Sequence, residues 1–298
     1  MISRRLFAFA AAAGVLAPLT TRSAARPLEV VASFTVLADM VRQVGGDRVL
    51  VASLVGPNGD PHAFEPTPDD ARKLKATDLV FVSGLGLEGW MDRLITASGY
   101  QGRIMVASDG IRALHMEEDG KAITDPHAWN SAANGVIYAR NIVAALCAAD
   151  PDGATLYRAN GARYTQQLRD LDSYARQQIA TVPPERRKVL TSHDAFGYFG
   201  AAYGVTFLSP LGFSTESEAS ARDVARLIRQ IKEEHVRAYF FENSNDPRLV
   251  RQIASATGAE PGGVLYVEAL STPDGPAPTY AAMFRRNVDE LTRAMMQN

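Results

Sequence analysis

Through residues 152–181 the chain is rich in Gln, Arg and Ala, with Tyr164, Leu168, Leu171 and Ala175 recurring at helical spacing until Pro183-Pro184 ends the pattern. One helix of about thirty residues spans roughly 45 Å. That is too long for the interior of one small lobe and natural for a strut joining two. The expected organisation is an N-terminal lobe over 26–150, a linking helix over 151–181 and a C-terminal lobe over 182–298. A leader segment, 1–25, precedes them.

Both lobes read as α/β, because short β-rich runs alternate with helical patterns. In the first half, strands are expected at Leu28–Ser33, Val49–Leu54, Leu79–Ser83 and Arg103–Ala107, with helices at Val36–Val44, Pro68–Ala76 and Glu88–Ala97. In the second half, strands are expected at Lys188–Ser192, Val205–Ser209, Ala238–Glu242 and Val264–Val267. A helix from Ala221 to about Glu234 carries Val224, Leu227, Ile228 and Ile231 on one face, with Ser220 placed to cap it and Asp223 at the third position. The fold class is therefore two α/β lobes, each a mostly parallel sheet flanked by helices, joined by one long rigid helix.

Residues 1–25 read as an export signal. Arg4 and Arg5 give a charged start, Leu6 to Leu19 is mostly apolar, and Ser23-Ala24-Ala25 offers a cleavage site. About fourteen apolar residues are too few to span a bilayer. Ser3-Arg4-Arg5-Leu6-Phe7 fits twin-arginine export as well as the general secretory route. No cysteine lies near the cleavage region, so the expected product is soluble in the periplasm and not lipid-anchored. Removing the segment takes away three arginines and no acid, leaving a mildly acidic chain for which a sequence-independent grip on nucleic acid is not expected. The lone Cys147 excludes a disulfide framework and a cysteine-built metal site; it falls in an apolar helical run and reads as core.

That leaves histidine and carboxylate chemistry. Two histidines occur in the same tripeptide, Asp60-Pro61-His62 and Asp125-Pro126-His127. Each proline fixes the backbone leading into the imidazole. His193 follows the strand ending at Ser192, and Glu268 follows the strand ending at Val267. Ligands of open α/β sheets bind beyond the carboxyl ends of the strands, so these two are placed for a site that the two Pro-His loops complete from the other lobe. Three imidazoles and one carboxylate make a tetrahedral set suited to zinc; Mn²⁺ and Fe²⁺ tolerate such donors but ask for more oxygen. Asp60, Asp125 and Asp194 are candidates for orienting a ligand ring. His235, ending the Ala221–Glu234 helix, reads as structural, and His115 as a solvated residue of a polar loop.

Other signals compete. Gly84-Leu85-Gly86-Leu87-Glu88-Gly89 satisfies G-x-G-x-x-G after an apolar strand, and Asp109 follows twenty residues on, the pattern of a nicotinamide-dinucleotide site. It does not lie in the first strand-turn-helix unit, where that fingerprint belongs, so a glycine turn leading to a helix with Trp90 on the core is the better reading. An exported nicotinamide-dependent oxidoreductase using Gly84, Gly86 and Gly89 stays open as the alternative. No H-E-x-x-H is present, and a fourth protein ligand would saturate a catalytic zinc, so no enzymatic activity is expected. Thr215-Glu216-Ser217-Glu218 reads as an acidic loop leading to Ser220.

Four motifs carry a resemblance: Gly56-Pro57-Asn58-Gly59-Asp60-Pro61-His62-Ala63-Phe64-Glu65-Pro66-Thr67, Asp125-Pro126-His127-Ala128-Trp129, Thr191-Ser192-His193-Asp194-Ala195-Phe196 and Tyr266-Val267-Glu268-Ala269-Leu270-Ser271. In order and spacing, with Thr279-Tyr280 and Asn287 near the end, the mature chain resembles the periplasmic metal-binding lipoprotein and zinc-uptake solute-binding family. The resemblance implies a metal ion held between two lobes and delivered to the permease and ATPase of an ABC importer. His62, His127 and His193 match the family's three histidine positions. Members selective for manganese carry glutamate where this chain has His193, which implies the zinc branch, with one Zn²⁺ per chain as cargo. The fourth position is usually aspartate in an Asp-Ser-Leu-Ser context; here it is Glu268 in Glu-Ala-Leu-Ser, with Asp274 or water as alternatives. The short stretch around His115 in place of a long His-rich loop, and the missing anchor cysteine, are similar to the AztC-type zinc-binding proteins. That likeness implies a periplasmic zinc metallochaperone as a further partner. A monomer is expected.

Overall fold

The computed structural model describes residues 26–118, 121–216 and 219–297; the segment 1–25 read as an export signal lies outside the described residues. The N-terminal half runs β1 (Leu28–Ala32), α1 (Thr35–Gly45), β2 (Val49–Ser53), α2 (Pro68–Ala76), β3 (Leu79–Val82), α3 (Met91–Ser98) and β4 (Arg103–Val106). All pairings are parallel, in the order β2-β1-β3-β4. Parallel neighbours require crossover connections, which the three helices supply. β3 is buried along its whole length (Leu79, Val80, Phe81 and Val82), as expected of a strand covered on both faces.

Next comes an antiparallel hairpin of β5 (His115–Glu118) and β6 (Lys121–Thr124), with His115 opposite Thr124. This corrects the reading of His115 as part of a loop. The acidic run Glu117-Glu118-Asp119 obscured the strand. Two long helices follow, α4 (Ala132–Ala149) and α5 (Ala154–Ala180). α5 is the predicted strut. Tyr157, Tyr164, Leu168, Leu171, Ala175 and Ile179 line its buried face, and it packs along α4 and α1.

The second half runs β7 (Lys188–Leu190), α6 (Gly197–Tyr203), β8 (Thr206–Leu208), α7 (Ala221–Glu233), β9 (Ala238–Glu242), α8 (Arg248–Thr257), β10 (Glu260–Leu265) and α9 (Tyr280–Gln297). Its sheet is again all parallel, ordered β10-β9-β7-β8. Ser220 caps α7 by accepting the Asp223 amide, as its sequence predicts. β10 begins earlier and ends earlier than the expected Val264–Val267. It is an edge strand, which tolerates Pro261, and it is irregular between Pro261 and Gly263.

Each sheet has a switch point where the chain reverses its direction of travel. In the second sheet β7 and β9 are neighbours, although α6, β8 and α7 intervene in sequence. The crevice beyond their carboxyl ends is where open α/β sheets hold ligands.

Candidate metal centre

Each of the four predicted side chains is delivered by its own local device. His62 lies in the loop between β2 and α2. Asp60 Oδ1 accepts the His62 amide at 2.8 Å, an Asx-type turn, and Trp90 Nε1 donates to the Pro61 carbonyl at 2.8 Å. The second Asp-Pro-His goes further: Asp125 Oδ1 accepts both the His127 amide and the ring Nδ1–H, each at 2.9 Å. His193 stands three residues past β7, on the switch-point crevice. Glu242, the last residue of β9, accepts the Ser192 and His193 amides at Oε1 (2.8 and 3.2 Å) and the His193 Nδ1–H at Oε2 (2.5 Å). Asn245 Nδ2 also donates to Glu242 Oε2.

Glu268 does not directly follow its strand. β10 stops at Leu265, because Asn287 of α9 takes over the backbone. Its Oδ1 accepts the Tyr266 amide at 2.9 Å and its Nδ2 donates to the Tyr266 carbonyl at 2.6 Å. Trp129 Nε1 then donates to the Val267 carbonyl, and Asn243 Nδ2 to that of Ala269. Side chains from three directions thus fix the segment and turn Glu268 inward, where it is fully buried.

The four converge. Glu268 Oε1 lies 2.7 Å from His62 Nε2, 3.2 Å from His127 Nε2 and 3.1 Å from His193 Nε2. The Nε2 atoms of His62 and His127 are 3.1 Å apart, and those of His127 and His193 3.4 Å. Tetrahedral donors about 2.0–2.1 Å from a zinc ion stand roughly 3.3–3.4 Å from one another, so the cluster is close to that spacing. With their Nδ1–H groups committed to Asp125 and Glu242, neutral His127 and His193 turn Nε2 lone pairs to the common centre. Ser244 Oγ donates to Glu268 Oε2 at 3.3 Å, leaving Oε1 as the inward oxygen.

Electrostatics follow from the same contacts. Burial opposes protonation of His127, but hydrogen bonds to Asp125 and Glu268 outweigh it and raise its pKa. Burial is likewise outweighed at His193, where Glu242 and Glu268 hold the ring well above the ordinary imidazole value. Burial disfavours the Glu268 charge, yet His193, His127 and His62 together keep its carboxyl well below the usual range. The pocket is thus built to hold positive charge, as protons or as a cation. No second group of three or more His, Cys, Asp and Glu donors occurs among the described residues.

The other candidates fall elsewhere. Asp274 is exposed in the loop before α9 and stands outside the cluster. Of the three aspartates read as ring-orienting, Asp125 does this; Asp60 holds the backbone of His62 instead, while the Asp194 amide donates to the Gly212 carbonyl. Glu242 and Asn245 were missed. The position of Glu242 at the end of a predicted strand was a usable signal. His115 is exposed and pairs with Thr124, and His235 follows α7 with a φ of 53°. Cys147 lies half-buried on α4.

The glycine run forms no phosphate cradle. Glu88 Oε1 accepts the Ser83 amide at 2.6 Å and Ser33 Oγ at 2.6 Å, and Glu88 Oε2 accepts the Gly84 amide at 3.1 Å. The donors a pyrophosphate would need are thus taken by the protein's own carboxylate. For the same reason α3 starts at Met91 and not at Glu88, with Trp90 buried as expected.

Two α/β lobes on a common strut, with a buried imidazole–carboxylate cluster between them, place the protein among the periplasmic metal-binding components of ABC importers. The chain belongs to the family described as "Zinc-uptake complex component A periplasmic", which it matches over residues 30–294. It is 33% identical over 296 residues to the manganese-binding lipoprotein MntA of Bacillus subtilis, covering 97% of each chain. It is 32% identical over 274 residues to the iron-binding protein YfeA of Yersinia pestis, covering 92% of this chain and 88% of that one. Its fold superposes on the periplasmic zinc-binding protein TroA of Treponema pallidum with a TM-score of 0.85 and 29% identity, over 90% of this chain and 99% of that one.

Proposed function

We propose that the protein captures one Zn²⁺ per chain between His62, His127, His193 and Glu268 and delivers it to the permease and ATPase of an ABC importer, without catalysing a reaction. In this reading it works as a soluble periplasmic monomer without a lipid anchor, its lobes 26–150 and 182–298 flank the strut 151–181, and a periplasmic metallochaperone is a candidate zinc source. The observation that carries zinc is the donor set: three imidazole nitrogens and one inward carboxylate oxygen at near-tetrahedral spacing. Manganese favours more oxygen donors. The names of MntA and YfeA make manganese and iron the competing cargoes.

The deciding experiment is metal analysis of the mature protein followed by zinc titration against a chromogenic chelator. One tightly held zinc that excess Mn²⁺ does not displace is expected. Preferential retention of manganese would transfer the assignment to that cargo. In the same assay His193→Ala is expected to lower zinc affinity sharply with the fold intact, while Asp274→Ala leaves it unchanged. An unchanged affinity in His193→Ala removes that ring from the site.

A further inference from the structure

The site has one accessible side. His127, His193 and Glu268 are fully buried, whereas His62 retains 9% exposure. A cavity of about 890 Å³ opens beside the cluster, lined among others by Phe64, Trp90, Phe213 and Glu216, and His62 is the one cluster residue on its wall. An ion entering or leaving this pocket passes His62.

The loop carrying His62 is tied to the opposite lobe. A segment of the opposite lobe, residues 211–216, reaches across to it. Leu211 pairs with His193 as an isolated parallel bridge. The Gly212 carbonyl accepts the Asp194 amide, and the Phe213 ring packs 6.3 Å from that of His127. Thr215 Oγ1 then donates to Asp60 Oδ2 at 2.6 Å. Asp60 therefore has two tasks, one oxygen on the His62 amide and the other on Thr215. Further back, the Asn58 amide donates to the Leu270 carbonyl at 3.1 Å and Asn243 Nδ2 to Asn58 Oδ1 at 3.0 Å. These rear contacts also tie Asn58 to the segment that holds Glu268. Thr215–Asp60 is the contact next to His62, the one ligand that reaches the cavity.

We propose that the Thr215–Asp60 hydrogen bond is the latch that sets how long the metal stays: segment 211–216 and the His62 loop part for the ion to cross, and Thr215 is a positioning residue for that step. The proposal rests on the metal-binding reading above. A hydroxyl bonded to a carboxylate is among the stronger neutral-to-charged hydrogen bonds, and here it closes a short loop segment whose opening exposes one ligand and leaves the buried three in place.

The test is the rate at which zinc-loaded protein gives up its metal to excess chromogenic chelator, followed by stopped-flow. Thr215→Val keeps the shape of the side chain and removes only the hydroxyl; it is expected to release zinc about tenfold faster than wild type. Thr215→Ser restores the donor and is expected to return the rate to that of wild type. Thermal melting of each protein stripped of zinc serves as the control, and no change is expected there, because a residue acting only on stability would move the melting curve. Equal release rates for wild type and Thr215→Val overturn the latch, as does Thr215→Ser behaving like Thr215→Val. A wild-type protein that retains no zinc overturns the zinc reading itself, a different failure seen before any variant is compared.

Discussion

At the scale of single residues, the site pairs each inner imidazole with a carboxylate behind it. Glu242 holds both the turn and the ring of His193. Glu242→Gln keeps one acceptor oxygen in place of two and loses the charge and the fixed tautomer, so zinc affinity should fall by about 10- to 100-fold, measured by chelator competition. The same pairing sets the pH dependence. A protonated ring cannot ligate, and His127 and His193 both bind protons more tightly than an unperturbed histidine, whose pKa is near 6.5. Zinc must displace those protons. Affinity should therefore begin to fall above pH 6.5 as the pH is lowered, by about tenfold per unit for each proton displaced. Isothermal titration near pH 7.5 in buffers of different ionisation enthalpy should register proton release on binding; none would mean that both rings are already neutral. The histidines were legible because a repeated Asp-Pro-His marks two of them and the end of a predicted strand marks the third. Glu242 carried a signal of its own, the end of a predicted strand, but its link to His193 was not legible, because it stands about fifty residues from the ring it orients and only the adjacency of β7 and β9 joins them.

At the scale of elements, periodicity revealed what presents a single apolar face and failed where there is none. α7 buries Leu227 and Ile231 with Val224 and Ile228 packed beside them, the stripe its spacing predicts. α4 is apolar nearly all round, so it has no stripe to read, and the seven residues of α6 are too few to establish a period. α9 matters most for the site. Its Asn287 replaces the missing strand partner of Tyr266 and so sets where Glu268 stands. Asn287→Ala would leave a buried amide and a buried carbonyl without partners. A loss of about 2–4 kcal/mol in unfolding free energy is expected, read by urea denaturation, together with weaker zinc binding as the Glu268 segment loosens. Unchanged stability would mean that water or another side chain takes over both groups.

At the scale of the whole molecule, the question is whether the lobes swing when the ion binds. The contacts between them argue against it. One continuous apolar core runs from Val30 of β1 to Met295 of α9. α5 is fastened at both ends, by Asn160 donating to the Val44 carbonyl of α1 and by Tyr174 hydrogen-bonding Asp289 of α9. Asp39 of α1 accepts the Tyr280 amide at the start of α9, and Thr35 Oγ1 accepts the Leu270 amide. A wide hinge would break these bonds, several of them buried, and open the core, a cost that the ion's preference for one state would have to offset. Small-angle scattering of the mature protein should give a radius of gyration near that of a compact chain of this length, about 18–19 Å, changing by less than roughly 0.5 Å when zinc is added. Hydrogen exchange on the same samples should slow on zinc addition in residues 56–62 and 211–216 and remain unchanged in α5. A compaction of 1 Å or more, or protection spreading along the strut, would mean that the lobes close as rigid bodies, and would move the site of gating from the loops to the hinge.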